Sequence, residues 1–165
     1  METKQTKVIM KYDKIRLYVD MDNVLCNYSK AHNKALNENP DIKYPQSQYG
    51  FFRNLEEIED AKKSYLYLTI FFDVHILTSP SVLNPFSYTE KRVWVEEHLG
   101  INAAYNMILA PNKSLLIGDY LIDDLNYSET NRQQDFTGQL IHFGGKDFQR
   151  WNNVINYFTG KYKLL

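Results

Sequence analysis

The 165-residue chain has a single cysteine, Cys26, which excludes an internal disulfide and any zinc cluster built from thiolates. Long apolar runs are missing too. The richest stretch, Leu66 to Phe72, is interrupted by Thr69 and falls far short of the roughly 20 residues that a membrane-spanning helix needs. Nor is there an excess of positive charge. The 19 Lys and Arg stand against 20 Asp and Glu, the net charge is −1, and the basic residues are scattered. That balance argues against a nucleic-acid polymer as partner. The opening METKQTKVIMKYDK carries positive charge with no apolar run behind it, so it reads as a solvated N-terminus and not as a signal peptide. What remains, 44% hydrophobic and 24% charged residues, is the composition of an ordinary globular domain. The expectation is a single cytoplasmic domain with no membrane partner, with a homodimer left open.

The hydrophobic pattern alternates between two periods. Ile15 to Val19 is apolar, with β-branched and aromatic residues, and ends in Asp20, as a buried strand would. Tyr28 to Asn37 has helical character and is followed by a turn-rich stretch with Pro40, Pro45 and Gly50. Ile58, Ala61, Tyr65 and Leu68 recur at helical spacing. Phe71 to Leu77 reads as a second strand running into Thr78-Ser79-Pro80. Thr89 to Leu99 reads as a helix with Val93 and Trp94 inward and Gly100 as its stop. Met107 to Leu109, Tyr120 to Ile122 and Gln139 to Phe143 complete the strands, and Trp151, Val154, Ile155 and Phe158 mark a closing helix. Strands alternating with helices predict an α/β fold: a three-layer, Rossmann-like parallel sheet covered on both faces.

In such folds the ligand sits beyond the carboxyl ends of the strands. The polar residues at those ends are Asp20-Met21-Asp22, Thr78-Ser79 and Asp123-Asp124, with Lys113 in a nearby loop. An isolated D-x-D is as a rule a surface loop that caps the next helix. The second acid pair, at another strand end, changes that reading. Carboxylates gathered at one rim repel each other and need a cation, and oxygen ligands of this kind suit Mg²⁺. Hydroxyl and backbone donors at Thr78-Ser79 and the point charge of Lys113 add what a phosphoryl group requires.

Asp20-Met21-Asp22-Asn23-Val24-Leu25, Ile76 to Pro80, Lys113 and Leu121 to Asp124 resemble the four signature motifs of the haloacid dehalogenase superfamily. Gly50 to Glu56, Tyr88 to Val95 and Asp119 to Asp124 are similar to segments of the 5′(3′)-deoxyribonucleotidases. The resemblance spans about Tyr18 to Asp124. It implies a phosphomonoesterase acting on deoxyribonucleoside monophosphates, with Asp20 as nucleophile and Asp22 as general acid and then base. It also implies Mg²⁺ held by Asp20, the main-chain carbonyl of Asp22 and Asp124, with Asp123 behind them. Thr78, Ser79 and Lys113 would hold phosphate, and Lys91 could reach the site from the helix after the second motif. A small helical cap would occupy about residues 26–55 within the single domain 1–165, with Tyr28, Phe51 and Phe52 placed to meet a base. Asn23 stands where relatives usually carry Gly, and Asn tolerates positive φ better than most residues.

Two other readings compete. A phosphatase of sugar phosphates or another small metabolite would share all four motifs. A phospho-receiver domain also gathers acids, Thr/Ser and Lys around Mg²⁺, but with its acid pair first and its phosphorylated Asp on a later strand, the reverse of the order here.

Overall fold

The computed structural model describes residues 14–126 and 132–164; the opening segment 1–13 lies outside the described residues. Five strands, β1 (Arg16–Val19), β2 (Asp73–Thr78), β3 (Met107–Leu109), β4 (Tyr120–Asp123) and β5 (Gln139–His142), form one sheet in the order β3-β2-β1-β4-β5. Every pairing is parallel, with Leu17 opposite Val74 on one side and Tyr120 on the other. Parallel strands are buried on both faces, which is why β1, β2 and β4 read as near-continuous apolar runs. Alternate residues serve different faces: Leu17, Val19, Ile76 and Ile122 enter one cluster, Tyr18, Leu77 and Leu121 the other.

The helices are α1 (Tyr28–Glu38), α2 (Ala61–Phe71), α3 (Phe86–Leu99), α4 (Ile101–Tyr105) and α5 (Trp151–Tyr162). Crossovers between parallel strands are right-handed, so reversing direction across the sheet changes face. The run β1-β2-β3 goes one way and sets α2 and α3 on the face with the larger cluster, where α5 returns to pack Trp151, Val154 and Phe158. The run β3-β4-β5 goes the other way. Its connections, among the described residues, are coil and short 3-10 turns that contribute Leu116 and Phe136. Among the described residues the second face is thus thinly covered, and tightly: a Cβ on Gly138 would lie 2.4 Å from the Gly118 carbonyl oxygen.

Several boundaries differ from the sequence expectation; α3, for one, begins at Phe86, three residues ahead of Thr89. Phe71 closes α2 and Phe72 caps it, its N–H donating to the Leu68 carbonyl, so β2 begins only at Asp73. After α3 the chain resumes helix at once as α4, because Gly100 at φ 91° ends one helix and opens the next. Within α3, Trp94 and Val95 are the buried pair and Val93 is half-buried.

Residues 26–55, between β1 and α2, carry α1 and a 3-10 turn at Pro45–Ser47. They enter and leave through a two-stranded neck: Asn27 N–H donates to the Glu56 carbonyl (2.8 Å) and Ile58 N–H to the Leu25 carbonyl (2.9 Å).

Candidate active site

The strand order leaves a crevice between β1 and β4, because the chain departs from them to opposite sides, and ligands bind at such switch points. Asp20 follows β1 and stays in register, its N–H donating to the Ile122 carbonyl of β4 (2.9 Å). The chain then turns sharply. Met21 carbonyl accepts from Leu25 and Cys26 N–H groups, and Asn23 sits at φ 55°, the left-handed conformation its residue type tolerates. Trp151 of α5 pins this turn by donating from Nε1 to the Val24 carbonyl (2.9 Å).

The turn brings Asp20 and Asp22 to one rim with Thr78, which ends β2, with Asp123, which ends β4, and with Asp124 just after it. Two fully buried lysines divide the acids between them. Lys113, on the 3-10 turn after β3, has Nζ 2.6 Å from Asp123 Oδ2 and 2.8 Å from Asp20 Oδ1. The first contact is an aligned hydrogen bond; the second is an ion pair without that alignment. Lys91 of α3 donates to Asp22 Oδ2 (2.6 Å) and to Thr78 Oγ1 (3.0 Å), and its Nζ lies 4.8 Å from the centre of the Phe52 ring.

Four carboxylates therefore face two ammonium groups, a formal excess of two negative charges in a largely buried site once all four are ionised. One oxygen each from Asp20, Asp123 and Asp124 lie within 4.8 Å of one another. Oxygens on opposite sides of a Mg²⁺ are ~4.2 Å apart, twice the ordinary ligand distance, so the cluster is nearly of the size that a divalent cation would draw together. Charge and donor chemistry both fit such an ion. Asp123 has both oxygens engaged, by Lys113 and by Leu125 N–H (3.0 Å), and it is completely buried. Asp124 instead faces the cavity, steadied by Asn23 Nδ2 (3.0 Å).

The protonation equilibria follow from this crowding. Burial, then the Asp20 charge, push Asp123 up to about 7 and Asp124 up to about 6 from the ordinary 3.8. Burial raises Asp22, Lys91 pulls it back down, and Asp20 adds to the rise. Burial opposes the charge on Lys113, but Asp20 and Asp123 outweigh it and hold that pKa above 10.5. Carboxyls whose folded pKa is raised bind protons in the folded state that the unfolded chain has already lost. Their contribution is fully present below 3.8 and disappears as pH rises through about 6 to 7. Metal-free protein is thus expected to lose thermal stability as pH rises from about 5 to about 7.5, and added Mg²⁺ to cancel the loss. Melting curves across that range, with chelator and with Mg²⁺, check both; a flat curve in chelator would contradict the buried excess of acid.

A cavity of about 230 Å³ opens on this rim, lined by Asp20, Asp22, Asn23, Tyr28, Ser79, Asp124 and Leu125. The Ser79 hydroxyl is turned away to donate to the Ala110 carbonyl (3.1 Å). Tyr28 is the aromatic wall, its phenol pushed up to about 12 by burial and then by Asp22, so it stays protonated. Phe52 does not line the cavity: it is buried behind Tyr28, nearly parallel to it with centroids 6.0 Å apart. Phe51 meets both rings edge-on. A larger cavity, about 420 Å³, lies between α1 and residues 42–56, but its Lys30 and Lys34 are paired with Glu56 and Glu38. The smaller cavity is the one with the chemistry.

Residues 41–150 match the family described as 5′ nucleotidase, deoxy (pyrimidine), cytosolic type C protein. A Vibrio phage KVP40 protein, provisionally named a 5′(3′)-deoxyribonucleotidase, is 34% identical over 93% of this chain and 89% of its own length. The chain belongs to this family. The human cytosolic-type 5′(3′)-deoxyribonucleotidase is 30% identical over 78% of each chain, and the Bacillus subtilis 5′(3′)-deoxyribonucleotidase is 27% identical over 80% of this chain and 75% of its own. The family lies within the haloacid dehalogenase superfamily, and the five-stranded parallel sheet agrees with it. Among the described residues no helix is long and apolar enough to cross a membrane.

Three contacts had no counterpart in the sequence reading. Asn23 joins Asp124 to the start of α1, its Oδ1 accepting from Ser29 N–H (2.8 Å), and Trp151 anchors the Asp20 loop. The third is Glu90, buried on α3, which accepts from the N–H groups of Gly50 and Phe52. Its one sequence signal is a charge on the stripe Ser87, Glu90, Lys91, Trp94, Val95 that the helix turns inward.

Proposed function

We propose that this chain is a Mg²⁺-dependent phosphomonoesterase that hydrolyses deoxyribonucleoside monophosphates to nucleoside and phosphate through an aspartyl-phosphate. The observation that carries the reading is the division of the carboxylates between two buried lysines. Asp20 lies 2.8 Å from the Lys113 ammonium inside the site, whereas Asp22, raised in pKa by burial, is held by Lys91 at the cavity edge. Nucleophile and proton donor need this difference.

In the proposed sequence an Asp20 carboxylate oxygen attacks phosphorus, and the bond from phosphorus to the nucleoside oxygen breaks. Asp22 gives that oxygen its proton. Water then attacks the aspartyl-phosphate, Asp22 takes the proton back, and phosphate leaves. Lys113, Thr78 and Lys91 would hold the phosphoryl oxygens, joined by Ser79 once its hydroxyl swings from the Ala110 carbonyl. The cation would be held by Asp20, the Asp22 carbonyl and Asp124, and when bound supplies the positive charge that admits a dianion beside carboxylates. Asp123, with both oxygens engaged, would steady Lys113 instead.

Residues 26–55 would act as a small cap, with Tyr28 meeting the base and Phe51 and Phe52 backing it. The names of the relatives support a deoxyribonucleotide. A 2′-hydroxyl pressed against an apolar wall without a partner costs about 1–3 kcal/mol, or roughly 5- to 150-fold in efficiency. Paired kinetics on dUMP and UMP, and on dGMP and GMP, with released phosphate as readout, are expected to favour the deoxy member of each pair. Equal efficiencies would remove the sugar selectivity, and a sugar phosphate turned over faster than any nucleotide would replace the substrate class.

A further inference from the structure

We infer that Glu90 is a positioning residue for base recognition, fixing the backbone of residues 50–52 and through it the rings behind the cavity, without a part in phosphoryl transfer. The inference rests on the nucleotidase reading above. Glu90 is buried on α3, and no lysine or arginine among the described residues pairs with it; Lys91, its neighbour, is spent on Asp22 and Thr78. Its two oxygens instead accept from Gly50 N–H (2.6 Å) and Phe52 N–H (3.0 Å).

The segment it holds cannot hold itself. Its own turn uses the N–H groups of Phe51, Asn54 and Leu55, and the side chain of Asn54 takes the Gly50 carbonyl (2.7 Å). Gly50 adopts φ 83°, open to glycine at little cost. The N–H groups of Gly50 and Phe52 are left pointing into the protein, where an unmatched donor is costly. A carboxylate offers two acceptors on one rigid fork, matched to N–H groups two residues apart.

From that clamp the contact chain leads to the cavity. Phe52 is fixed beneath Lys91 Nζ and beside Tyr28, Phe51 packs edge-on to both, and Tyr28 is the cavity wall. The phosphate side is reached mainly by other elements, through Asp20, Thr78 and Lys113; Lys91 shares α3 with Glu90, but its ammonium is held by Asp22 and Thr78 and not by Glu90. Glu90 is thus connected to the aromatic wall by backbone and rings, and its two oxygens are taken by Gly50 and Phe52 and not by the lysines that hold the acids.

Glu90→Gln keeps one acceptor but turns an NH₂ toward the second N–H. The full chain is compared with wild type on dUMP and on glycerol 2-phosphate, a phosphomonoester without a base. The KM for dUMP is expected to rise roughly 5- to 150-fold, because the unpaired donor frees the segment by about 1–3 kcal/mol and substrate binding must then restore its order. The kcat for dUMP and the efficiency on glycerol 2-phosphate should stay within about twofold, since proton and phosphoryl transfer keep their groups. Amide exchange at Gly50 and Phe52 should accelerate in the variant. Glu90→Asp, with the charge but a shorter reach, should give an intermediate KM, and it replaces Glu90→Gln if that variant does not fold. Parallel loss on both substrates, or faster exchange with an unchanged KM for dUMP, overturns the inference. Wild-type protein that treats the two substrates alike removes the nucleotidase reading itself, and with it this inference, on a different readout.

Discussion

Asp20→Asn is expected to remove turnover by about 10⁴-fold or more while leaving the fold intact, because an amide cannot take the nucleophile's place. The structural side of the expectation is as definite as the catalytic one. Asp20 is one of four acids facing two lysines, so neutralising it relieves repulsion, and Lys113 keeps its hydrogen bond to Asp123. The melting temperature should therefore hold or rise in the metal-free protein. Asp22→Asn makes the informative contrast. It should cost roughly 10²–10⁴-fold, the usual range for lost proton transfer, and should leave the nucleophile able to form a slowly resolving phospho-enzyme. Phosphate release and a melting curve for each variant check the pair. More than a few per cent of activity in Asp20→Asn would mean that water attacks phosphorus directly.

Chelation should silence the enzyme, and Mg²⁺ alone should restore it. Two unit charges 4 Å apart interact by about 4 kcal/mol at the effective dielectric of a protein surface. A phosphate dianion entering a site with two surplus negative charges meets several such repulsions, enough to suppress binding and rate by more than roughly 10³-fold. Lys113 and Lys91 relieve only part of this, since their charges are already set against those of Asp123, Asp20 and Asp22. The measurement is initial velocity in excess chelator, then with Mg²⁺ added back in steps. Activity indifferent to chelator would refute the cation site.

The sequence was most legible where physics is local or the pattern long. β1, β2 and β4 are buried on both faces, so each reads as an apolar run, and the acids that end two of them announce the rim. Asn23 was legible in the same way, because its residue type alone permits the turn that φ 55° requires. Phe71 and Phe72 were harder: aromatic residues suit a strand as well as a helix end, and only the packing against α5 decides. Phe52 illustrates the limit at the site. Its type suits a base contact, but Glu90, 38 positions along the chain, turns its backbone so that the ring faces inward. Contacts of that kind depend on how α3 sits against residues 50–52, which no periodicity records.

The neck at Asn27–Glu56 and Leu25–Ile58 has an evolutionary consequence. Since the ends of the insertion are already tied together, lengthening or replacing what lies between them hardly disturbs the sheet; doubling a flexible loop costs only about 0.6 kcal/mol. The reacting groups sit on the sheet side of that tie. Descendants of such a chain can exchange the material between the ties as a cassette, while inheriting the acidic rim unchanged.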